Sequence, residues 1–202
     1  MTMKPYLLVS GDFVPTGGMD QANLALARYL ADQGCEVHLV THRAEQRLAS
    51  HPNVIVHRVP KIGGSRFLSG PVLDRAGRYW AAKIACRGGH VLVNGGNCRW
   101  RDANWVHYVH AAHTPSVAGS LLSHFKMRIA HRHAVAAERD CLARARVVFC
   151  NSQRTRRDVI EQLGVPETRV HAVYYGTDVE RLACVTPAEA RQARAKIGRA
   201  HV

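Results

Sequence analysis

Short apolar runs recur along the chain with helix-length stretches between them, and this alternation organises the whole sequence. Residues 6–10, 36–41, 54–59, 90–94, 104–110, 145–150 and 170–174 predict seven strands. The first, Tyr6-Leu7-Leu8-Val9, is continuously apolar, as expected for a strand covered on both faces. Between the strands, residues 21–34, 72–87, about 117–144 and 152–163 predict helices. The first helix sets Ala22, Leu26, Tyr29 and Leu30 on one stripe, and Gly34 stands where a helix ends. The second places Leu73, Ala76, Tyr79, Trp80 and Ile84 at helical spacing. Strands alternating with helices predict an α/β domain built on a doubly wound, mainly parallel sheet of about seven strands. Sheets of this kind hold ligands outside the carboxyl ends of their strands. That rule gathers the loop containing Gly17 and Gly18, the loops after Asn94 and His110, and the pair Asn151-Ser152 on one rim.

The loop Gly11-Asp12-Phe13-Val14-Pro15-Thr16-Gly17-Gly18 joins the first strand to the first helix. A strand, a glycine loop and a helix N-terminus let backbone N–H groups face an anion. Gly17 and Gly18 remove the Cβ atoms that would hold a phosphate or sugar away from the main chain. The plainer alternative is that paired glycines only let the loop turn tightly. The dinucleotide pattern Gly-x-Gly-x-x-Gly is absent, which disfavours a nicotinamide or flavin cofactor.

Composition narrows the picture in three places. At 202 residues and 47% hydrophobic content the chain suits one sizeable packed domain. It lacks an apolar run of the roughly 18 residues a spanning helix needs, and its first residues show no signal-peptide pattern, so a cytoplasmic protein is expected. Six cysteines are scattered singly, which supports neither a zinc site nor a disulfide framework. The formal charge of +13, spread along the chain, favours a polyanionic neighbour such as a phosphorylated substrate, an anionic membrane, nucleic acid or an acidic domain.

Candidate side chains each have a structural alternative. His107, His110 and His113 are spaced so that a strand would turn them to different sides, which is poor for one metal ion. His110 differs from the other two in standing at the predicted strand end. Ser152 is a good N-cap for the helix after it, and its place on the rim leaves a ligand role open beside that. Arg154, Arg156 and Arg157 read as a solvated helix face sooner than as a phosphate clamp. The long helix carries Leu121, Leu122, Phe125 and Ile129 beside Lys126, Arg128, His131, Arg132 and His133. Such a helix can lie on anionic lipid, or it can pack its stripe inward and show its charge to water.

Taken together, the chain resembles the N-terminal half of a family 4 (group 1) glycosyltransferase of the GT-B fold. Three stretches carry the likeness: the glycine loop with its helix and the strand Glu36–Thr41, the triplet Tyr108-Val109-His110, and Asn151-Ser152 with residues 170–179. The resemblance implies two facing Rossmann-like domains, the first holding the acceptor and the second the nucleotide-sugar. It also implies sugar transfer with retained anomeric configuration and no required metal or other cofactor. Gly17 and Gly18 match the glycine pair that approaches the donor diphosphate, and His110 matches a histidine near the transferred sugar. Asn151 and Ser152 fall at the same cleft and are candidate substrate-binding residues.

The resemblance sets residues 1–180 as the acceptor-side domain and 181–202 as the start of a linker, with the family's Glu-x7-Glu motif beyond the last residue. A chain of this extent is therefore expected not to turn over alone. Expected partners are the nucleotide-sugar donor, a glycan or lipid-linked acceptor, and an anionic membrane touched peripherally. The rival readings are a non-catalytic basic module that binds phosphorylated or lipid-linked glycans, and a nucleic-acid binder. The latter lacks any RNA-binding, zinc-finger or helix-turn-helix signature.

Overall fold

The computed structural model describes residues 4–64, 66–113, 120–176 and 186–198. In chain order the first half comprises β1 (Tyr6–Val9), β2 (Asp12–Phe13), α1 (Gly18–Asp32), β3 (Val37–Thr41), β4 (Arg43–Ala44), α2 (Gln46–Ala49), β5 (Val54–Arg58) and α3 (Arg66–Cys86). The second half comprises β6 (His90–Asn94), β7 (Ala103–Val106), α4 (Leu121–Arg144), β8 (Val147–Cys150), α5 (Gln153–Leu163), β9 (Val170–Ala172) and α6 (Pro187–Gly198). Seven strands form one sheet in the order β5-β3-β1-β6-β7-β8-β9. Every neighbouring pair is parallel. The domain is thus α/β and Rossmann-like. Strand order reverses between β1 and β6, the switch point at whose carboxyl ends such sheets open a crevice.

The sheet is packed from both sides. On one side Leu7, Val9, Val40, Val91 and Val93 meet Leu73, Ala81 and Ile84 of α3. On the other, Leu8, Val37 and Leu39 meet Leu24, Ala27 and Ala31 of α1. A third cluster joins Val106, Val148 and Cys150 to Leu142 of α4 and Val159 of α5. Each such Leu or Val removed from water contributes roughly 1.5–3 kcal/mol, so these faces fix the sheet and carry the rim with it.

The buried stripe of α1 is rotated from the predicted one. Asn23, Leu24, Ala27 and Ala31 face inward, Leu26 and Leu30 lie on the flank, and Tyr29 is 61% exposed. Two alanines let the helix axis approach the sheet closely, which moves the bulkier side chains to its shoulders. In α3, Leu73 and Ile84 are buried as their spacing predicts, while Tyr79 is exposed. Gly77 serves the same close approach, since a Cβ there would lie 2.7 Å from Cys98 Sγ and 3.1 Å from Val9 Cγ1. Cys35, Cys98, Cys141 and Cys150 are buried free thiols and Cys86 an exposed one, while Cys184 lies outside the described residues. Burial pushes the Cys141 and Cys150 thiols up to about 12, so they remain protonated core groups.

The last strand, predicted over residues 170–174, ends at Ala172, and β7 departs further from its apolar pattern. Residues 104–110 predict a strand through His110, but β7 ends at Val106 and His110 opens a single 3-10 turn, His110–Ala112. The cause is the neighbours. Val106 pairs with Cys150, the last residue of β8, and Trp105 with Asn94, the last of β6. Among the described residues neither neighbouring strand continues beyond these partners.

Candidate functional site

The turn at the end of β1 is held from below. Asp12–Phe13 and Arg43–Ala44 make a two-residue parallel ladder beyond the main sheet. Arg43 donates two hydrogen bonds to the Asp12 carboxylate, at 3.0 and 2.8 Å. The same guanidinium holds the Asp12 carboxyl below the usual carboxylate range against an opposing push from burial. Phe13 is fully buried. The loop predicted to run from Gly11 is therefore pinned through Phe13, and the exposed turn is shorter.

Gly17 is the N-cap of α1, with φ 82° and ψ 140°, a backbone region that favours glycine. Gly18 is the first helical residue, and a Cβ built there meets nothing within 4 Å. Both glycines are exposed. The first turn of a 15-residue helix thus ends in open space at the carboxyl end of β1, where its N–H groups and dipole favour an anion. Beneath it, Asn23 donates to Ser10 Oγ at 3.2 Å, and Asn94 donates to Asn23 Oδ1 at 3.3 Å. All three residues are buried, so the chain of hydrogen bonds ties α1 to β1 and β6 across the switch point.

His110 lies along the same edge beyond β7, with β6 between it and β1. Its side chain is 36% exposed and its neighbour Val109 is buried. The residue that holds it comes from α4. Glu138, only 1% exposed, accepts the His110 backbone N–H on both carboxylate oxygens at 3.0 and 3.2 Å. Glu138 Oε1 also lies 3.2 Å from His110 Nδ1. Tyr108 stands edge-on to the His110 ring, at 5.1 Å between centroids. Burial, and then the charge of Glu138, push the Tyr108 hydroxyl above its ordinary range.

Asn151 and Ser152 sit at the end of β8. Ser152 is the N-cap of α5, its Oγ accepting from the Thr155 N–H at 3.1 Å. Asn151 donates to the His107 carbonyl at 3.1 Å and to Tyr175 Oη at 3.2 Å, and accepts from Thr155 Oγ1 at 2.7 Å. His107 packs against Trp105 and Tyr175, which also touch each other edge-on, and meets the Tyr175 hydroxyl through Nδ1. Burial pushes the His107 imidazole down to about 4, so the ring is neutral at physiological pH. Asn151 and Ser152 therefore brace the rim, tying the extension of β7 to α5 and to the segment after β9. His113 is exposed and stacks edge-on with Tyr108. Arg154 pairs with Asp158 and Arg156 with Glu167, so neither forms a clamp.

Glu138 is the residue that pattern reading passed over. In the sequence it is one of two acids in a basic helix, 28 residues from its partner. Its only local signal is that no other acid stands between residues 121 and 137. The same helix exposes Phe125, Met127 and Ile129 beside Lys126, Arg128 and Arg132. No helix among the described residues is long and apolar enough to cross a membrane. An open cavity of about 420 Å³ lies between α4 and α5, lined by Ala111, His131, Arg132, Arg139 and Gln162 among others.

The doubly wound parallel sheet matches the fold of one half of GT-B glycosyltransferases. The sequence profile of Glycosyltransferase Family 4 matches residues 16–181, most of the chain, and the protein belongs to that family. Solved structures agree in fold. WaaG, a glycosyltransferase involved in lipopolysaccharide biosynthesis, superposes with a TM-score of 0.62 at 14% identity, over 96% of this chain and 51% of its own. Sucrose-phosphate synthase from Thermosynechococcus elongatus gives 0.60 at 16% identity, over 95% and 52%. HepE from Anabaena, in complex with UDP and glucose, gives 0.50 at 15%, over 96% and 50%. The chain thus spans about half the length of the structures it matches. No curated protein matches it by sequence.

Proposed function

We propose that the chain is the acceptor-side domain of a retaining glycosyltransferase that moves a hexose from a nucleotide-sugar to a glycan, lipid-linked or small-molecule acceptor. The observation that carries the reading is the rim itself. An open helix N-terminus at Gly17-Gly18 and a histidine held by a buried carboxylate lie along one edge of the sheet. In this reading the α1 N–H groups face the donor diphosphate. As the sugar leaves, charge grows on that diphosphate, and oriented dipoles stabilise it without reorganising. His110 contacts the transferred sugar, and Asn151 and Ser152 support the substrate side of the cleft. No metal or other cofactor is required by these roles. In this reading most of the nucleotide contact belongs to a second, facing domain, and the donor-complete enzyme is the protein that includes it.

The exposed Phe125, Met127 and Ile129 among the cations of α4 support a domain that works in the cytoplasm and rests on the inner, anionic membrane face, where a lipid-linked acceptor would be presented. The deciding experiment uses the donor-complete enzyme with UDP-hexoses and follows the anomeric configuration of the product by NMR. Retention in the presence of a chelator is expected. An inverted product, or a metal requirement, would overturn the mechanism.

A further inference from the structure

We infer that Glu138 is a positioning residue that fixes the tautomer of His110, so that Nδ1 carries the proton and Nε2 is left as the basic nitrogen of the ring. The inference deepens the reading in which His110 touches the transferred sugar, and rests on it.

The argument begins with the backbone. The His110 N–H can only donate, and it reaches both oxygens of Glu138, at 3.0 and 3.2 Å. Those two contacts hold the carboxylate against the turn. With the group so held, Oε1 comes to 3.2 Å from Nδ1. Both oxygens already act as acceptors toward the His110 N–H, and with the carboxylate as acceptor the geometry assigns the hydrogen of this contact to Nδ1. A neutral imidazole with hydrogen on Nδ1 presents Nε2 as an acceptor, suited to a sugar hydroxyl.

The placement is built into the fold from two directions. Gly96, in the turn after β6, lies so close to α4 that a Cβ there would be 3.1 Å from the Glu138 backbone nitrogen and 3.3 Å from its Cα. Glycine at that point lets α4 settle onto the turn and bring Glu138 to the rim. Cys141 and Leu142, just beyond it on the same helix, are fully buried, so α4 cannot slide or rotate there. A carboxylate is costly to bury away from water. Among the described residues both oxygens of Glu138 are aimed at a single residue, and that residue stands on the ligand rim.

A capping role alone would need the backbone contacts and would leave the imidazole free to choose its tautomer. Long-range proton–nitrogen NMR spectra of the 202-residue chain separate the two cases, with His110 assigned from the signal lost in His110→Gln. At about pH 8, above the ordinary imidazole range, the Nδ1–H form is expected to exceed the other by on the order of tenfold. Glu138→Gln, whose amide nitrogen can donate to Nδ1, is expected to shift the population toward Nε2–H. A predominantly Nε2–H ring in the unaltered protein overturns the inference, as does an unchanged ratio in a folded Glu138→Gln. If that variant does not fold, the spectrum of the unaltered chain decides alone. Failure of the underlying reading has a different sign: His110→Ala would leave turnover of the donor-complete enzyme intact, whatever the tautomer.

Discussion

The two turns on the rim are built on opposite principles. At the end of β1 the functional groups are backbone N–H donors, and the sequence supplies them by removing side chains: Gly17 takes a positive φ and Gly18 leaves open space. At the end of β7 the functional group is a side chain, and it is held by another side chain from a helix 28 residues away. The donors of the first turn are specified within a few residues of themselves, while Arg43 and Asn94 anchor its base. The second exists only when α4 has docked. A backbone site of the first kind tolerates changes in its surroundings and fails when a Cβ intrudes, whereas the second fails when distant packing fails.

The largest expected effect tests the second turn directly. In the donor-complete enzyme, His110→Ala should lower kcat by on the order of 10²–10³, about 2–4 kcal/mol, with acceptor KM nearly unchanged. His107→Ala should cost turnover far less, because its ring is engaged with Trp105 and Tyr175. Equal losses in both would erase the distinction between a site residue and a brace.

Next in size is Gly96→Val. With the Glu138 backbone only 3.1 Å from a Cβ, the substitution should push α4 off its seat and cost about 1–3 kcal/mol in urea unfolding. Unchanged stability would mean that the helix is free to shift, and that Glu138 is not fixed by packing.

The glycine pair separates cleanly. Gly17→Ala forces an alanine to φ 82° and should cost about 1–3 kcal/mol in stability. Gly18→Ala meets nothing and should leave the melting temperature unchanged, while weakening phosphate or sulfate binding seen by NMR titration. If Gly18→Ala also destabilises, the glycines are there for the turn and not for a ligand.

A smaller effect should appear in acid. His107 and His57 both have folded values pushed down to about 4, mainly by burial; for His57 the nearby His38 and Lys83 add to the push. The unfolded chain, at the ordinary value near 6.5, binds more protons than the folded one between these limits. Stability is therefore full above about pH 6.5 and is lost as pH falls toward about 4. A drop of a few degrees in Tm across that window is expected, after allowing for solvent screening at these partly exposed rings. His57→Phe, which would keep the stacking on Trp80, should flatten the slope. A slope that persists in both His57→Phe and His107→Phe would place the acid sensitivity elsewhere.

The sequence by itself determined the things that depend on local periodicity and local backbone freedom. Six of the seven sheet strands, the four long helices between them, the doubly wound class and the Gly17-Gly18 turn follow from apolar runs, helical spacing and glycine, because these act within a few residues. The stripe of α1 came out rotated, since close approach to the sheet is set by which residues are smallest once the helix is docked. The end of β7 was overextended, since a strand stops where its neighbours stop, and the ends of β6 and β8 are set by their own loops. The Ser10-Asn23-Asn94 chain and the Glu138-His110 contact were decided only by the tertiary structure. A hydrogen bond across 71 or 28 residues leaves no periodic trace in the sequence, and a buried acid among exposed cations looks like any other surface charge until the helix is packed against the rim.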